Sequence, residues 1–290
     1  MSFSSDLKQE LSQINNLNKK DEVRYELIGY LISKNSSVVK NKIRFATKND
    51  YNINRFSKLL KNLDIQHNIE FDGKSFIITF KQTDCNEEIA VENFQIIAIK
   101  KPQNDYERKS VIRGAFLGGG SINNPENKYH IEVNFSNEKN LNYSKEILDN
   151  FEVDYKVLES KEKYSIYLKD GEKISEFIAL LGANKSVLNY ENIRVNKEMR
   201  GKVNRIVNCQ TANLNKTLNA SVEQIEAIKK LQETNKFYKL DDNLKEIANL
   251  RVEYPDMSLI ELGKMLKKPL GKSGVNYRLK KIIDIANDAK

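Results

Sequence analysis

Ile112-Arg113-Gly114-Ala115-Phe116-Leu117-Gly118-Gly119-Gly120-Ser121 is the stretch whose reading decides the architecture. Apolar and small residues run through it at helical spacing, and the glycines Gly118 to Gly120 close the helix. A glycine-rich segment that opened a helix would invite a phosphate, but this one closes one, so a phosphate cradle is not expected. The same pattern stands upstream at an offset of 85, which pairs Gly29 with Gly114, Leu31 with Phe116, Ile32 with Leu117 and Ser36 with Ser121. Further on the offset becomes 88, pairing Leu60 with Leu148, Leu63 with Phe151, Phe76 with Tyr164, Ile78 with Ile166 and Phe80 with Leu168. The extra residues fall in the polar loop of Asn123, Asn124 and Pro125. The chain is an internal duplication.

Within each copy the hydrophobic period changes in the same order. Val23 to Ser33 and Val111 to Leu117 read as helices, and Ile43 to Thr47 and His130 to Phe135 alternate as strands. Ile53 to Leu63 and Leu141 to Phe151 return to helical spacing. Strand pairs follow, Ile65 to Glu70 with Phe76 to Lys81 and Val153 to Glu159 with Tyr164 to Lys169, the first closed by the turn dipeptide Asp72-Gly73. A trailing helix is expected over Glu87 to Ile99 in the first copy and Glu172 to Leu181 in the second. The fold class is α+β: a duplicated αββαββα domain whose halves pack as a pseudo-dimer, followed by an all-α segment.

The chain has 290 residues, 39% hydrophobic and 30% charged, a profile of globular domains. No apolar run approaches the ~20 residues that span a bilayer, and the polar N-terminus lacks a signal-peptide core, so a cytoplasmic protein without membrane partners is expected. Cys85 and Cys209 form no CxxC and have only His67 and His130 as further soft ligands, which suggests neither metal nor disulfide. Both thiols are expected to be buried or half-buried. The net charge is +8, and its placement is uneven. Arg200 to Lys290 holds 18 Lys/Arg against 11 Asp/Glu, whereas the first 199 residues hold 30 against 29. A basic excess gathered in one region is the footprint of polyanion binding.

That basic region begins with Met199 to Thr217, MRGKVNRIVNCQTANLNKT, which leads into a helix through Leu214, Leu218, Val222, Ile225, Ile228 and Leu231. Arg200, Lys202, Arg205 and Lys216 are secondary candidates for phosphate contact. Downstream, Asp241 or Asp242 caps a helix with Leu244, Ile247, Ala248 and Leu250 inward, ending before Pro255. Ser258-Leu259-Ile260-Glu261 is a capping box opening a second helix, with Leu259, Leu262, Met265 and Leu266 inward. Ser273 is expected to cap a third, with Val275, Leu279, Ile282, Ile283 and Ala286 on its apolar side. Three short helices so spaced read as a helix-turn-helix whose last helix enters the major groove of double-stranded DNA. Asn276 is placed to read a base edge, with Arg278 or Lys280 for guanine or phosphate, and Lys272, Lys280 and Lys281 are expected chiefly to anchor phosphates. Ser273 and Tyr277 complete the expected DNA-binding set. Gly271-Lys272-Ser273 mimics the end of a nucleotide-binding loop, but the upstream glycine position is Leu266, so no nucleotide is expected there. The organisation expected is residues 1–100 for an N-terminal segment and first repeat, 101–198 for the second repeat, 199–235 for a linker helix and 236–290 for the helix-turn-helix.

The order αββαββα, duplicated, with IRGAFLGGGS as a first helix, resembles the LAGLIDADG homing-endonuclease fold. In that family small residues let the first helices of the two halves pack closely, a role that suits Gly114, Ala115 and Gly118, and Gly29 in the first copy. The resemblance also locates the positions where its enzymes carry metal-binding carboxylates: Lys34 in the first copy and Gly119 in the second. Neither holds an acid, and no Asp or Glu lies from Leu27 to Asn49 or from Lys109 to Pro125. Phosphodiester cleavage by magnesium needs oxygen ligands, so no enzyme activity, catalytic residue, cofactor or metal is expected. The saddle's Lys42, Arg44, Lys48, Lys81, Lys128 and Lys169 are available to DNA or are a solvated face, and the domain can equally bind protein. Taken with NCQTANLNKT and LGKSGVNYRL, the glycine-rich string resembles the WhiA family over essentially the whole chain. That resemblance implies a non-catalytic, nucleoid-associated transcriptional regulator acting in cell division and chromosome segregation, with a sigma factor or other transcription or division protein as a further partner. A residual metal-dependent endonuclease and a division-associated adaptor with incidental DNA binding are the alternatives.

Overall fold

Two four-stranded antiparallel sheets with the same strand order carry the duplication in the computed structural model, which describes residues 2–160 and 163–288. The chain divides into two units, Met1–Glu198 and Met199–Lys290. In the first, α1 (Phe3–Ser12) precedes a first repeat of α2 (Lys20–Ile32), β1 (Ser36–Val39), β2 (Lys42–Thr47), α3 (Asp50–Asn62), β3 (His67–Phe71) and β4 (Phe76–Lys81). A hairpin of β5 (Ile89–Glu92) and β6 (Gln95–Ala98) leads to the second repeat. That repeat is α4 (Asp105–Gly119), β7 (Gly120–Ile122), β8 (Ile131–Phe135), α5 (Glu138–Asp149), β9 (Lys156–Ser160), β10 (Lys163–Leu168) and α6 (Gly171–Leu181). The sheets run β1-β2-β4-β3 and β7-β8-β10-β9. Phe45 faces Ile78 across β2 and β4, and Val133 faces Ile166 at the matching place in the second sheet. Alternation puts these side chains on the inner face, where they bury against α3 and α5.

Helices α2 and α4 meet backbone to backbone. A Cβ at Gly29 would lie 2.1 Å from the Val111 carbonyl oxygen, and one at Gly114 would lie 2.0 Å from that of Glu26. No residue but glycine fits either place without moving a helix. Beside this seam lies a buried charge cluster that the sequence reading did not find. The carboxylate of Glu26, wholly buried, accepts from Arg55 Nε and Nη2 at 2.7 and 2.8 Å, from Arg113 Nη1 at 3.3 Å and from Asn16 Nδ2 at 3.2 Å. The guanidiniums continue onto carbonyls, Arg55 Nη1 to Ile14 at 2.7 Å and Arg113 Nε to Leu181 at 2.9 Å. Burial opposes the charge on Arg55, yet the hydrogen bonds and field of Glu26 outweigh it and hold its pKa above the ordinary value. A buried charge is tolerated only when paired and hydrogen-bonded in this way.

Several expectations are corrected. Glu87 to Ile99 is no trailing helix but contains the hairpin β5–β6, turned at Asn93 and Phe94 with φ of 50° and 62°. Two positive φ values make the tight turn that matches strand twist, usually signalled by Asn-Gly; Phe94 hides that signal. Helix α1, which buries Phe3, Leu7 and Leu11, was not anticipated. Cys85 is buried as expected, but Cys209 is exposed.

The second unit starts inside α7 (Asn184–Glu233) and continues with α8 (Asp242–Glu253), α9 (Leu259–Met265) and α10 (Lys272–Asn287). Its core gathers Ile228 and Leu231 of α7, Leu244 and Ile247 of α8, Leu262 of α9, and Val275, Leu279 and Ile282 of α10. Met265, expected inward, is 42% exposed. Among the described residues no helix is long and apolar enough to cross a membrane.

Candidate nucleic-acid interface

The third helix of the second unit is built by its own spacing. Val275, Leu279, Ile282 and Ala286 recur at intervals of three and four and are buried. Ser273, Asn276, Tyr277, Lys280 and Lys281 therefore share the opposite face, and all five are exposed. Lys272 is exposed at the start of the helix. Arg278 lies apart, half-buried on the flank toward α8, with Nη1 reaching the Asn243 carbonyl at 3.5 Å. Gly271, and not Ser273, occupies the N-cap, and no side chain caps the first turn. The reason is register: the helix starts at Lys272, so Ser273 already stands inside the first turn. The other two caps agree with expectation. Asp241 accepts from the Leu244 amide at 2.9 Å, and Ser258 with Glu261 forms the reciprocal capping box. A short connection, 266–271, joins α9 to α10, and α10 presents Lys272, Ser273, Asn276, Tyr277, Lys280 and Lys281 outward.

The secondary candidates Arg200, Lys202, Arg205 and Lys216 all project from α7 and are exposed. Around them every residue from Lys202 to Lys216 is exposed, and Met199 to Val222 contains no acid. They are spread along one helix and do not converge with the outward face of α10 into one described cluster, apart from Lys216 and Lys272, which line a shared cavity.

In the first unit, the ends of α2 and α4 bring together the two positions expected to have lost their acids. The Lys34 amide donates to the Asn134 carbonyl at 3.0 Å, Asn134 Nδ2 donates to the Gly119 carbonyl at 3.3 Å, and Asn35 Nδ2 donates to that of Gly118 at 2.6 Å. A Cβ at Gly119 would stand 2.4 Å from the Asn134 carbonyl oxygen. A side chain at 119 would begin where the backbone of β8 already lies. The adjacent cavity, about 280 Å³, has Lys34 and Lys163 as its charged lining and no carboxylate. An adjoining cavity carries Glu92 and Glu138, and Lys139 holds Glu92 at 2.5 Å. Among the described residues no group of three or more His, Cys, Asp or Glu side chains converges to hold a metal ion. The saddle is unevenly charged: the open face of the first sheet bears Arg44, that of the second bears Glu132, bridged to Lys163 at 2.5 Å. Lys42, Lys48, Lys81, Lys128 and Lys169 are exposed, with Lys42 and Lys81 directly opposite each other.

Comparison with known proteins meets this geometry in both units. Residues 108–200 match the WhiA LAGLIDADG-like domain and residues 203–286 the WhiA C-terminal HTH domain. The probable cell division protein WhiA of Thermoanaerobacter sp. (strain X514) is 41% identical across 100% of this chain and 98% of its own. That of Clostridium tetani is 38% identical across 99% and 98%. The crystal structure of full-length WhiA from Thermatoga maritima superposes with a TM-score of 0.61 at 28% identity, covering 99% of each chain. The N-terminal LAGLIDADG domain of WhiA alone gives 0.52 at 25% identity over 62% of this chain and 92% of that one. With one repeat pair, one helix-turn-helix and a full-length match joining them, the chain belongs to the WhiA family.

Proposed function

We propose that this protein binds double-stranded DNA at preferred sites through the outward face of α10 and regulates by occupancy without cutting. The observation that carries the reading is that face itself: Asn276, Tyr277, Lys280 and Lys281 exposed on a helix whose other side is locked into a core. Asn276 offers both a donor and an acceptor to a base edge, and Arg278 reaches guanine or phosphate from the flank. Lys272, Ser273, Lys280 and Lys281 hold phosphates, with Arg200, Lys202, Arg205 and Lys216 adding contacts along α7. The lack of room at Gly119 and the positive lining beside Lys34 support a LAGLIDADG-like half that grips without hydrolysing. The relatives' description as probable cell division proteins supports a role in division, and transcriptional control and chromosome segregation are the finer roles proposed. The reading places the protein in the cytoplasm on the nucleoid, divided as 1–100, 101–198, 199–235 and 236–290. A sigma factor or another transcription or division protein is the further partner, for which Val203, Ile206, Val207 and Leu214 leave an exposed apolar row on α7.

Binding of genomic fragments tests the first claim. Asn276→Ala and Arg278→Ala are each expected to cost about 1 to 3 kcal/mol of preference for the best site, with melting unchanged for the exposed Asn276. Unchanged preference in both would remove α10 from base reading. Supercoiled plasmid with magnesium should stay intact; EDTA-sensitive nicking would overturn the non-catalytic half.

A further inference from the structure

A concave site of ≈ 260 Å³ lies wholly within the second unit, lined by Lys216, Thr217 and Gln224 of α7, Arg251 of α8, Ser258 ahead of α9, and Lys272 of α10. Its three charged residues are all cationic, and no acid lines it. Two of its polar side chains are deeply buried and incompletely partnered. Arg251 is 1% exposed; its Nη1 donates to the carbonyls of Met257 at 2.8 Å, Pro255 at 3.2 Å and Tyr254 at 3.5 Å, while its Nε has no partner. Gln224 is 5% exposed and its Oε1 has no partner. Among the described residues no carboxylate pairs with Arg251, and burial without an anion pulls its pKa down. Buried guanidiniums are ordinarily matched by an anion, and a buried donor or acceptor left without a partner is destabilising.

We infer that this cavity is a binding site for a small phosphorylated molecule, whose phosphate pairs with Lys216, Lys272 and Arg251 and whose hydroxyl or N–H donates to Gln224 Oε1. The two unmet groups make opposite demands. Arg251 Nε requires an acceptor, and Gln224 Oε1 requires a donor. A phosphodiester of DNA carries acceptors only at its phosphate and meets one demand. Inorganic phosphate, which retains a P–O–H near neutral pH, or a phosphomonoester with a free hydroxyl or base N–H, meets both. The volume is close to the lower end of small-molecule sites, ~300 to 1,000 Å³, and Ala220, Leu259 and Ile260 supply an apolar wall for the rest of the ligand. Lys272 also opens α10, so an occupant sits at the base of the helix proposed to read DNA.

Calorimetric titration of the full chain with sodium phosphate and with AMP, against sodium chloride at matched ionic strength, tests the site without any DNA present. Its outcome is therefore separate from that of the DNA reading. Saturable one-site binding of phosphate or AMP is expected, weakened roughly tenfold or more by Lys216→Gln and by Gln224→Leu, both with unaltered or higher melting temperature. Absence of saturable binding by both probes overturns the proposal. So does the case in which neither probe binds but Lys216→Gln lowers the salt slope of duplex binding by ~0.9, which would assign the cavity to a backbone phosphate.

Discussion

The seam between α2 and α4 and the outward face of α10 use polar side chains in opposite ways. At the seam Glu26, Arg55 and Arg113 are buried, with one carboxylate shared by two guanidiniums whose other donors reach the Ile14 and Leu181 carbonyls. On α10, Asn276, Tyr277, Lys280 and Lys281 make no side-chain hydrogen bond or ion pair among the described residues and remain in solvent. Charge at the seam fixes one packing of two helices; charge on α10 plays no part in the packing of its own unit. The difference teaches that a basic balance alone says little about partners until burial separates groups already satisfied from groups still available.

Three variants probe that contrast, beginning with the largest effect. Glu26→Gln leaves two guanidiniums buried against a neutral amide, and a loss of about 3 to 5 kcal/mol is expected in denaturant unfolding; a loss below about 1 kcal/mol would mean the cluster is not the lock described. Lys280→Gln with Lys281→Gln should leave unfolding within about 0.5 kcal/mol of the parent, as surface changes do. The same pair should flatten the log K against log[salt] line for duplex DNA by up to ~1.8, and an unaltered slope would take both lysines off the phosphates. The last variant is at Lys8, whose Nζ donates to the Leu117 carbonyl at 3.3 Å and whose pKa burial lowers from 10.5 to about 8. Between those values the unfolded chain holds a proton that the folded chain has released, so this group makes stability rise with pH across that window. Lys8→Met should abolish the rise when melting is followed from pH 7.5 to 10; a persisting rise would assign it elsewhere.

Much of the fold was legible because each repeat writes its periods twice. The offset that pairs Phe80 with Leu168 places both in strands of equal rank, β4 and β10, and the glycines of the first helices marked their close approach. Failures came where local pattern was ambiguous. Ile89, Ile96 and Ile97 fit either a helix or a hairpin, and an Asn-Phe turn gives no glycine signal. Ser273 looked like a cap by composition, but capping depends on where the helix begins, and that was one residue after Gly271. The Glu26 cluster joins residues 26, 55 and 113, and the cavity joins α7 to α10; neither is visible before the chain is folded. On α10 the exposed face followed directly from the spacing of Val275, Leu279 and Ile282, so the candidate residues there needed no tertiary information. Arg278 departs from them by leaning on α8.

The Asn134 carbonyl set against Gly119 also limits what that position can accept. Any side chain at 119 would strike that oxygen, so an acid placed there would have to displace β8 or the end of α4 before it could reach the cavity beside Lys34.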